Sequence, residues 1–245
     1  MHKPSLHRFR ALILHGTSIR EKDRVIEAYT REEGRMHFFA PGIHHVASRR
    51  AGHLEPFMES QIVAASSMKG YFIREAKVLR TFPRLRADIE RVNYAYEIAK
   101  LLRGYTGENQ KDMVLYDSIL SLIANLDSPQ KIPNFMKEAA EINILRSLGI
   151  LPDLYRCTNC RAKLQADEFS FKKSHHGFWC SKCAGQGDPI LTEVVKVFRF
   201  ILDRNNRSIY MLRVSPQTLL RMREVVKGLF QAQPELARNF AGRYQ

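Results

Sequence analysis

All four cysteines of the chain lie in two CxxC pairs. Cys157 and Cys160 form the first pair, and Cys180 and Cys183 form the second pair after 19 intervening residues. Each CxxC turn places two thiolates on one side of a tight loop, and two such loops complete a tetrahedral set of sulfur ligands. The spacing therefore predicts one structural zinc ion per chain. Basic neighbours help to keep the thiolates ionised; they are Arg156, Arg161 and Lys182.

Other cysteine chemistries fit this spacing less well. Disulfide bonds require an oxidising compartment, and the start of the chain does not resemble an export signal. A redox-active CxxC motif needs only one pair, whereas an iron–sulfur cluster remains an alternative. His175 and His176 are competing ligands by type, although we expect them to face solvent in a turn. Four cysteines leave no position for a reactive water, so we expect the metal to be structural rather than catalytic.

The charge balance indicates a polyanionic partner. The net charge is +14 at pH 7. Residues 1–80 carry 14 basic and 8 acidic side chains, residues 81–150 carry 9 of each, and residues 151–245 carry 16 and 8. Such an excess repels itself unless it meets a polyanion, which is most often nucleic acid and next most often a membrane surface. No apolar run approaches the ~20 residues that span a bilayer, so we expect a cytoplasmic protein.

The first 80 residues predict a small β-barrel. Short runs of β-branched, aromatic and apolar residues alternate with turn residues such as Gly34 and Gly42. Five strands in ~80 residues fit a closed barrel better than an open sheet, because closure removes exposed edges. The expected strands are residues 9–14, 25–30, 36–39, 56–64 and 71–82.

The barrel is also the expected DNA-binding part. Small barrels bind single strands through a charged groove combined with aromatic rings on which bases stack. The nearby aromatic residues are Phe38, Phe39, Tyr71 and Phe72. The candidate DNA-binding residues are Arg35, His37, His44, His45, Arg49, Arg50, Lys69 and Arg74.

Beyond residue 82 the apolar residues recur at helical spacing. Stripes over residues 85–102, 115–126, 135–145, 191–202 and 219–230 predict five helices. Aromatic runs at residues 169–171 and 178–179 predict a small hairpin between the cysteine pairs. The fold class is therefore α+β, with a DNA-binding domain at residues 1–80. A helical domain follows at residues 81–245, with a zinc finger inserted at about residues 155–186.

Motifs of catalysis are missing from the sequence. It contains no phosphate-binding GxxxxGK[ST] loop, no GxSxG, no HExxH and no paired-carboxylate signature. We therefore expect a binding protein that is not an enzyme. The alternatives are a zinc-ribbon transcription factor that reads duplex sequence, and a nuclease or transferase whose site carries none of these motifs.

The order of several short motifs resembles the RecO family of bacterial recombination mediators. Residues 19–25 (IREKDRV) resemble the first hairpin of that family, and residues 40–42 (APG) with 52–57 (GHLEPF) resemble its third strand and the following loop. Leu145, Gly149, Pro152 and Leu154, leading into the first cysteine pair, resemble the entry to its zinc site. The resemblance covers about residues 10–205 and is carried by the ordered set rather than by one motif.

The resemblance implies an OB-fold at the N-terminus and a helical domain that carries a structural zinc ion. It implies binding to single- and double-stranded DNA, strand annealing without ATP, and loading of the RecA recombinase onto coated single strands. The implied partners are RecR and the acidic C-terminal tail of the single-stranded-DNA-binding protein. The implied location is the bacterial cytoplasm, associated with the nucleoid.

Two segments depart from the family pattern. The loop after Gly42 begins with His44 and His45 where the family usually has Lys and Arg, so DNA contact there is expected to be weaker or dependent on pH. The last ten residues, 236–245, lack the Leu-Lys-Ser pattern associated with the family's end.

Two basic clusters beside apolar helical stripes are the candidate site for the partner's tail. A tail that ends in a carboxylate and an aromatic ring requires an apolar slot for the ring and a cation for the terminal charge. The candidate residues for this contact are Arg199, Arg204, Arg207, Arg221, Arg223 and Lys227.

Overall fold

The chain forms two compact units, residues 1–129 and residues 130–245, in a computed structural model. The structure describes residues 5–19, 21–43, 51–164, 169–172, 177–184, 189–203 and 209–231. Among these, no helix is both long enough and apolar enough to cross a membrane.

The first unit begins with a closed five-stranded barrel. Its strand order is β1-β2-β3-β5-β4, and β1 also pairs with β4 to close the ring. Neighbouring strands are antiparallel except β3 and β5, which run parallel at Phe38–Tyr71 and Phe39–Phe72. This is the OB-fold, and the predicted barrel is confirmed. The strands are β1 (Leu6–Ser18), β2 (Arg24–Thr30), β3 (Gly34–Ala40), β4 (Glu59–Ser67) and β5 (Gly70–Arg80).

Alternation along the strands fills the barrel interior. Phe9, Ala11 and Ile13 of β1 point inward, because every second residue of a strand lies on the same face. Ile26 and Phe38 meet them from the neighbouring strands, and both are fully buried. At ~25 cal/mol per Å² of buried apolar surface, this cluster is the main source of barrel stability.

Three helices complete the first unit: α1 (Pro83–Ala87), α2 (Ile89–Tyr105) and α3 (Met113–Leu126). The apolar stripe over residues 85–102 predicted one helix, but the chain breaks at Asp88. Its extended backbone lets the carboxylate accept the N–H groups of Glu90 at 2.9 Å and Arg91 at 3.3 Å. This N-cap satisfies backbone donors that a helix start leaves unpaired, and α2 begins there.

Helices α2 and α3 cover the outer side of β2. Tyr29 stacks on Tyr116 of α3, with ring centroids 6.4 Å apart. Glu27 forms ion pairs with Arg35 of β3 at 3.2 Å and with Arg103 of α2 at 3.8 Å. Residues 26–30 of β2 are therefore buried on both faces, although one face of a small barrel is usually open to solvent.

The segment after α2 returns to the start of β3. Asn109 N–H donates to the Arg35 carbonyl at 2.9 Å, and Glu108 bridges Arg35 in parallel register. The approach requires glycine at position 34, whose φ is +73° and whose added Cβ would lie 2.0 Å from the Gln110 carbonyl oxygen. β3 pairs with β5 only at Phe38 and Phe39, and this segment supplies a hydrogen-bond partner at the start of β3, where β5 does not reach.

A buried carboxylate connects the barrel to α3. The Glu59 side chain is 0% exposed and accepts hydrogen bonds from Arg10 of β1 and Arg80 of β5. Tyr116 Oη donates to Glu59 Oε1 at 3.1 Å. Burial by itself would raise the pKa of Glu59, but the two guanidinium groups outweigh it and lower the pKa. Burial also raises the pKa of Tyr116 above its usual range, so its hydroxyl remains a donor.

The second unit combines helices with a two-stranded sheet. Helix α6 packs against α7, and α4 packs against both. The predicted hairpin is confirmed as the pair β6–β7, which is antiparallel from Phe169–Cys180 to Lys172–Gly177. The elements are α4 (Met136–Ser147), β6 (Phe169–Lys172), β7 (Gly177–Cys180), α5 (Ser181–Ala184), α6 (Pro189–Leu202) and α7 (Pro216–Gln231).

The expected boundary at residue 80 falls at the junction of β5 and α1, inside the first compact unit. Helices α1 to α3 share that unit with the barrel. That the DNA-binding domain ends at residue 80 stays a prediction.

Replacing Glu59 by Gln is expected to reduce the free energy of unfolding by about 1–3 kcal/mol at pH 7, because charge-assisted hydrogen bonds are lost in a buried site. The folded-state pKa of Glu59 is lowered, so the carboxylate stabilises the protein above its unfolded-state pKa. This contribution is lost as the pH falls through the lower, folded-state value. Urea unfolding at pH 7 and at about pH 3 measures the effect.

The matched control is Glu75→Gln, since Glu75 is exposed on β5. It should change stability little at either pH. A Glu59 variant as stable as the wild type at pH 7 would contradict the role assigned to the buried carboxylate.

Candidate metal centre and nucleic-acid surface

The four cysteines come together in the second unit. Their Sγ atoms all lie within 4.8 Å of one another, and Cys160 and Cys180 approach to 3.6 Å. A tetrahedral ion with metal–sulfur bonds of ~2.3 Å places its sulfur atoms ~3.8 Å apart. All four cysteines are free thiols, and 3.6 Å is far longer than a disulfide bond of ~2.05 Å. The predicted cluster is therefore confirmed as an arrangement compatible with one metal ion.

Backbone geometry around the first pair forms a tight knuckle. Arg161 adopts a φ of +61°, which turns the chain back so that its N–H donates to the Cys157 carbonyl at 3.0 Å. Cys180 N–H donates to Cys157 Sγ at 3.4 Å, and Asn159 Nδ2 donates to Cys183 Sγ at 3.4 Å. Donors aimed at sulfur stabilise thiolate charge, which metal binding requires.

The Cys157 thiol shows this effect most clearly. It is fully buried, and burial alone would raise its pKa. The backbone N–H groups of Cys160, Cys180 and Asn159 oppose burial and lower the pKa to about 6. These donors favour the thiolate form of Cys157, which is the form that binds a metal ion.

A glycine allows the hairpin to pack on the knuckle. A Cβ added at Gly177 would lie 2.1 Å from Thr158 Oγ1, closer than real atoms approach. At the same place Thr158 N–H donates to the Phe178 carbonyl at 2.9 Å. The start of β7 therefore fixes the first CxxC loop relative to the second. His175 and His176 lie outside the described residues.

In the first unit, an open surface lies where β3 and β5 run side by side. Phe39 and Phe72 face each other there in an edge-to-face contact, with centroids 5.1 Å apart, and both are half-buried. By strand alternation His37 and Arg74 share the outward side with these rings. Both are exposed, and His37 Nδ1 lies 3.8 Å from Glu108. We call these four residues the β3–β5 surface.

The turn between β4 and β5 lies at the end of this surface. Lys69 is exposed there, and the neighbouring Met68 is fully exposed. Loops at this position, together with the barrel face, are the usual oligonucleotide-binding elements of OB-folds. Lys69 and Arg74 are both exposed, and their contact with DNA stays a prediction.

Arg35 is not placed in this way. It is 3% exposed, and its guanidinium binds Glu27 at 3.2 Å, Glu108 at 3.5 Å and the Thr106 carbonyl at 3.3 Å. The interpretation of Arg35 as a phosphate contact is therefore corrected, because its charge is used inside the first unit.

The remaining barrel candidates divide by position. Phe38 is fully buried and is not open for stacking, whereas Tyr71 is half-buried and packs against the barrel core. The other candidates lie outside the described residues; they are His44, His45, Arg49 and Arg50.

The candidate residues on α6 and α7 mostly contact other groups of the second unit. Arg199 donates to the Leu154 carbonyl at 3.1 Å, and Arg221 pairs with Glu224 on the same helix. Arg223 pairs with the buried Glu138 at 2.6 Å. Lys227 is exposed. Arg204 and Arg207 lie outside the described residues.

Two exposed apolar residues near these cations were missed by the sequence analysis. Leu220 is 61% exposed on α7, and Tyr155 is 59% exposed just before the first cysteine pair. The sequence could have indicated Leu220, because this leucine does not fall at the helical spacing of the buried residues on α7. Tyr155 had only its place beside a metal-binding loop.

These features define the class of the protein: an OB-fold barrel followed by a helical region that contains a four-cysteine metal-type cluster. Two family descriptions match the chain, "Recombination protein O N terminal" over residues 1–82 and "Recombination protein O C terminal" over residues 86–238. The chain belongs to the RecO family of DNA repair proteins.

Similar proteins carry the same family name. DNA repair protein RecO of Dehalococcoides mccartyi is 28% identical over 221 residues, which cover 89% of this chain and 87% of that protein. DNA repair protein RecO of Pelotomaculum thermopropionicum is 26% identical over 225 residues, covering 91% and 87%. DNA repair protein RecO of Listeria monocytogenes is 25% identical over 178 residues, covering 73% and 69%. The resemblance inferred from the sequence is thus confirmed.

We expect the purified protein to contain one metal ion per chain and to lose it in Cys157→Ser. Gly177→Ala should also reduce the metal content, because the added Cβ displaces Thr158 and with it the first CxxC loop. Both variants should unfold at a lower temperature, since binding of a structural metal contributes folding free energy. Elemental analysis and thermal unfolding measure the two effects.

The control is Gly52→Ala, where an added Cβ meets no atom within 4 Å. It should retain the metal. Full metal content in Cys157→Ser would show that the four cysteines are not the site.

Proposed function

We propose that this chain is a recombination mediator that binds single- and double-stranded DNA, anneals complementary strands without ATP, and helps to load a recombinase onto coated single strands. The β3–β5 surface is the observation that carries the proposal. It offers paired rings, a histidine and an arginine on an OB-fold in a RecO-family chain. It acts by binding and positioning, with no covalent bond made or broken.

The physical basis is charge neutralisation combined with stacking. Two complementary single strands repel each other through their phosphates, and a protein with a net charge of +14 reduces that repulsion when it binds both. Phe39 and Phe72 would hold unstacked bases, while Arg74 and Lys69 would contact the phosphates beside them. His44, His45, Arg49 and Arg50 are proposed to extend this contact along the loop after β3.

The metal in this proposal is a structural zinc ion held by Cys157, Cys160, Cys180 and Cys183. Four thiolates are the closed ligand set of structural zinc sites. A lowered thiol pKa and the N–H donors aimed at sulfur support this assignment. When bound, the ion supplies cross-linking of the two CxxC loops. Iron in the elemental analysis, or a visible iron–sulfur absorbance, would contradict it.

The proposed protein partners are a RecR-like protein, the acidic tail of the single-stranded-DNA-binding protein and, indirectly, RecA. The surface of α7 supports the tail contact. Leu220, Arg223 and Lys227 are spaced i, i+3 and i+7, so they share one exposed side of the helix. Arg223 is paired with Glu138, so Leu220 and the exposed Lys227 are the groups that suit a peptide ending in an aromatic ring and a carboxylate.

The double variant Lys69→Ala/Arg74→Ala should bind single-stranded DNA more weakly and anneal complementary strands more slowly without ATP. Each lost phosphate contact should reduce the slope of log affinity against log salt concentration by ~0.7 on single strands. Titrations by fluorescence anisotropy at several salt concentrations measure the slope, and a fluorescence-quenching assay measures annealing.

Arg31→Ala is the matched control, because Arg31 already pairs with Asp117 at 3.1 Å. It should leave the salt slope near that of the wild type. An unchanged slope in the double variant would remove the β3–β5 surface from the proposal. Strong preference for one duplex sequence, or Mg²⁺-dependent cleavage, would instead favour a transcription factor or a nuclease.

Lys227→Ala should weaken binding of the acidic tail peptide about two- to fivefold, as the loss of an exposed ion pair does. Leu220→Asp should abolish binding, because it places a negative charge where the terminal ring and carboxylate dock. Fluorescence anisotropy with a labelled peptide measures both.

Lys196→Ala is the control, since Lys196 is exposed on α6 and paired with Glu193 at 2.8 Å. A second peptide without its final aromatic residue tests specificity. Equal binding of the full and shortened peptides would show charge attraction alone and would contradict a tail-binding site.

A further inference from the structure

An aromatic ring beside the metal cluster is open to solvent and stacked on a cation. Tyr155 is 59% exposed, and the guanidinium carbon of Arg199 lies 4.4 Å from its ring centroid. This distance is well within the ~6 Å range of a cation–π contact. An exposed aromatic ring held by a cation in this way can accept a second flat group against its open side.

Hydrogen bonds fix the ring's position. Tyr155 N–H donates to Asp153 Oδ1 at 2.7 Å, and the Tyr155 carbonyl accepts the Leu164 N–H at 2.9 Å. Arg199 donates through both Nε and Nη2 to the Leu154 carbonyl, so the stacked guanidinium is fixed to the adjacent peptide. A pre-positioned ring loses little conformational entropy when a ligand stacks on it.

The next residue along the chain belongs to a pair of like charges. Arg156 and Lys163 face each other in an antiparallel bridge. Bonds from Cys157 N–H to the Ala162 carbonyl and from Leu164 N–H to the Tyr155 carbonyl flank this pair. Arg156 and Lys163 therefore form the non-hydrogen-bonded type of cross-strand pair, in which side chains lie closest. Two cations directly opposite each other destabilise such a pair.

Among the described residues no salt bridge joins an acidic side chain to Arg156 or Lys163, and Arg156 Nη1 donates to the Arg161 carbonyl at 3.4 Å. Over residues 151–164 and 177–184 the acidic residue is Asp153, whose Oδ1 accepts the N–H groups of Tyr155 and Arg156. Arg156, Lys163 and Arg161 are all exposed. An anion bound between the two facing cations would turn their repulsion into attraction. A phosphate group has the charge and the several acceptor oxygens for this role.

We propose that Tyr155 is a base-stacking residue and that Arg156 and Lys163 bind an adjoining phosphate, so that the metal-binding region forms a second contact for single-stranded nucleic acid. This inference rests on the proposed function and adds a surface in the second unit to that on the barrel. Tyr155 and Arg156 are consecutive, and side chains alternate in direction along extended backbone. A strand that crosses this edge would therefore place a base on the ring and the phosphate of a neighbouring nucleotide on the two cations.

The ligand must be single-stranded. A base can lie on the Tyr155 ring only when it has left its neighbours, and in a duplex both faces of each base are already stacked. The Arg156–Lys163 pair would contact either form of nucleic acid. Removal of the ring therefore reduces single-strand binding selectively, whereas removal of the two cations reduces both.

The test uses the full-length protein, a poly-thymidine oligonucleotide and a random-sequence duplex. Tyr155→Ala should weaken single-strand binding about 5- to 100-fold, the effect of losing one aromatic stacking partner. Its affinity for the duplex should equal that of the wild type. Tyr155→Phe, which keeps the ring, should behave as the wild type on both. Arg156→Ala/Lys163→Ala should weaken binding to both.

Photocrosslinking supplies a readout that needs no variant. An oligonucleotide that contains 5-iododeoxyuridine crosslinks to an aromatic side chain on which the base stacks. Mass spectrometry of the irradiated wild-type complex should find the label on Tyr155. Metal content and thermal unfolding of Tyr155→Ala establish that the variant is folded.

Three results would overturn the inference: equal single-strand affinity of Tyr155→Ala and wild type, an equal loss on duplex and single strand, or no crosslink at Tyr155. In each case a wild-type protein that still binds and anneals DNA leaves the proposed function standing. A wild-type protein without affinity for DNA would overturn both together.

Discussion

The buried charge of Glu59 is the constraint on which the first unit depends. A carboxylate in a dry site costs several kcal/mol unless cations and donors compensate it. Arg10 of β1, Arg80 of β5 and Tyr116 of α3 supply that compensation. The same carboxylate thus connects the strands on either side of β4 with a helix from outside the barrel. Compensation of one carboxylate therefore joins two barrel strands and α3.

The position of the helices decides which part of the barrel is open to a ligand. Because α2 and α3 cover β2, the pairs Glu27–Arg103 and Tyr29–Tyr116 occupy a face that a free barrel would offer to solvent. The half-buried aromatic residues Phe39 and Phe72 lie instead where β3 and β5 run parallel. In the second unit the metal cluster has a comparable effect, since the knuckle that holds Cys157 also fixes the exposed Tyr155.

The sequence predicted those features that depend on local spacing. The CxxC pairs, the alternation in the strands and the hairpin at β6–β7 each follow from residues close together in the chain. Roles that depend on distant partners could not be predicted in this way. Arg35 looked like a phosphate contact, yet its charge is balanced by Glu27 and by Glu108, which lies 73 positions further along the chain. The break at Asp88 was missed because the spacing of apolar residues continues across it. The N-cap that starts α2 there depends on the polar side chain of Asp88 and does not change that spacing.

The packing of α2 and α3 on β2 also has a consequence during synthesis of the chain on the ribosome. Tyr116 follows Glu59 by 57 positions. At a synthesis rate of ~5–20 residues per second, the carboxylate emerges about 3 to 11 s before this donor does. Until then Tyr29 lacks the ring of Tyr116, and the growing chain presents this aromatic side chain on the outer wall of the barrel. The part of the protein that is synthesised first is therefore completed only when residues from well beyond it have been added.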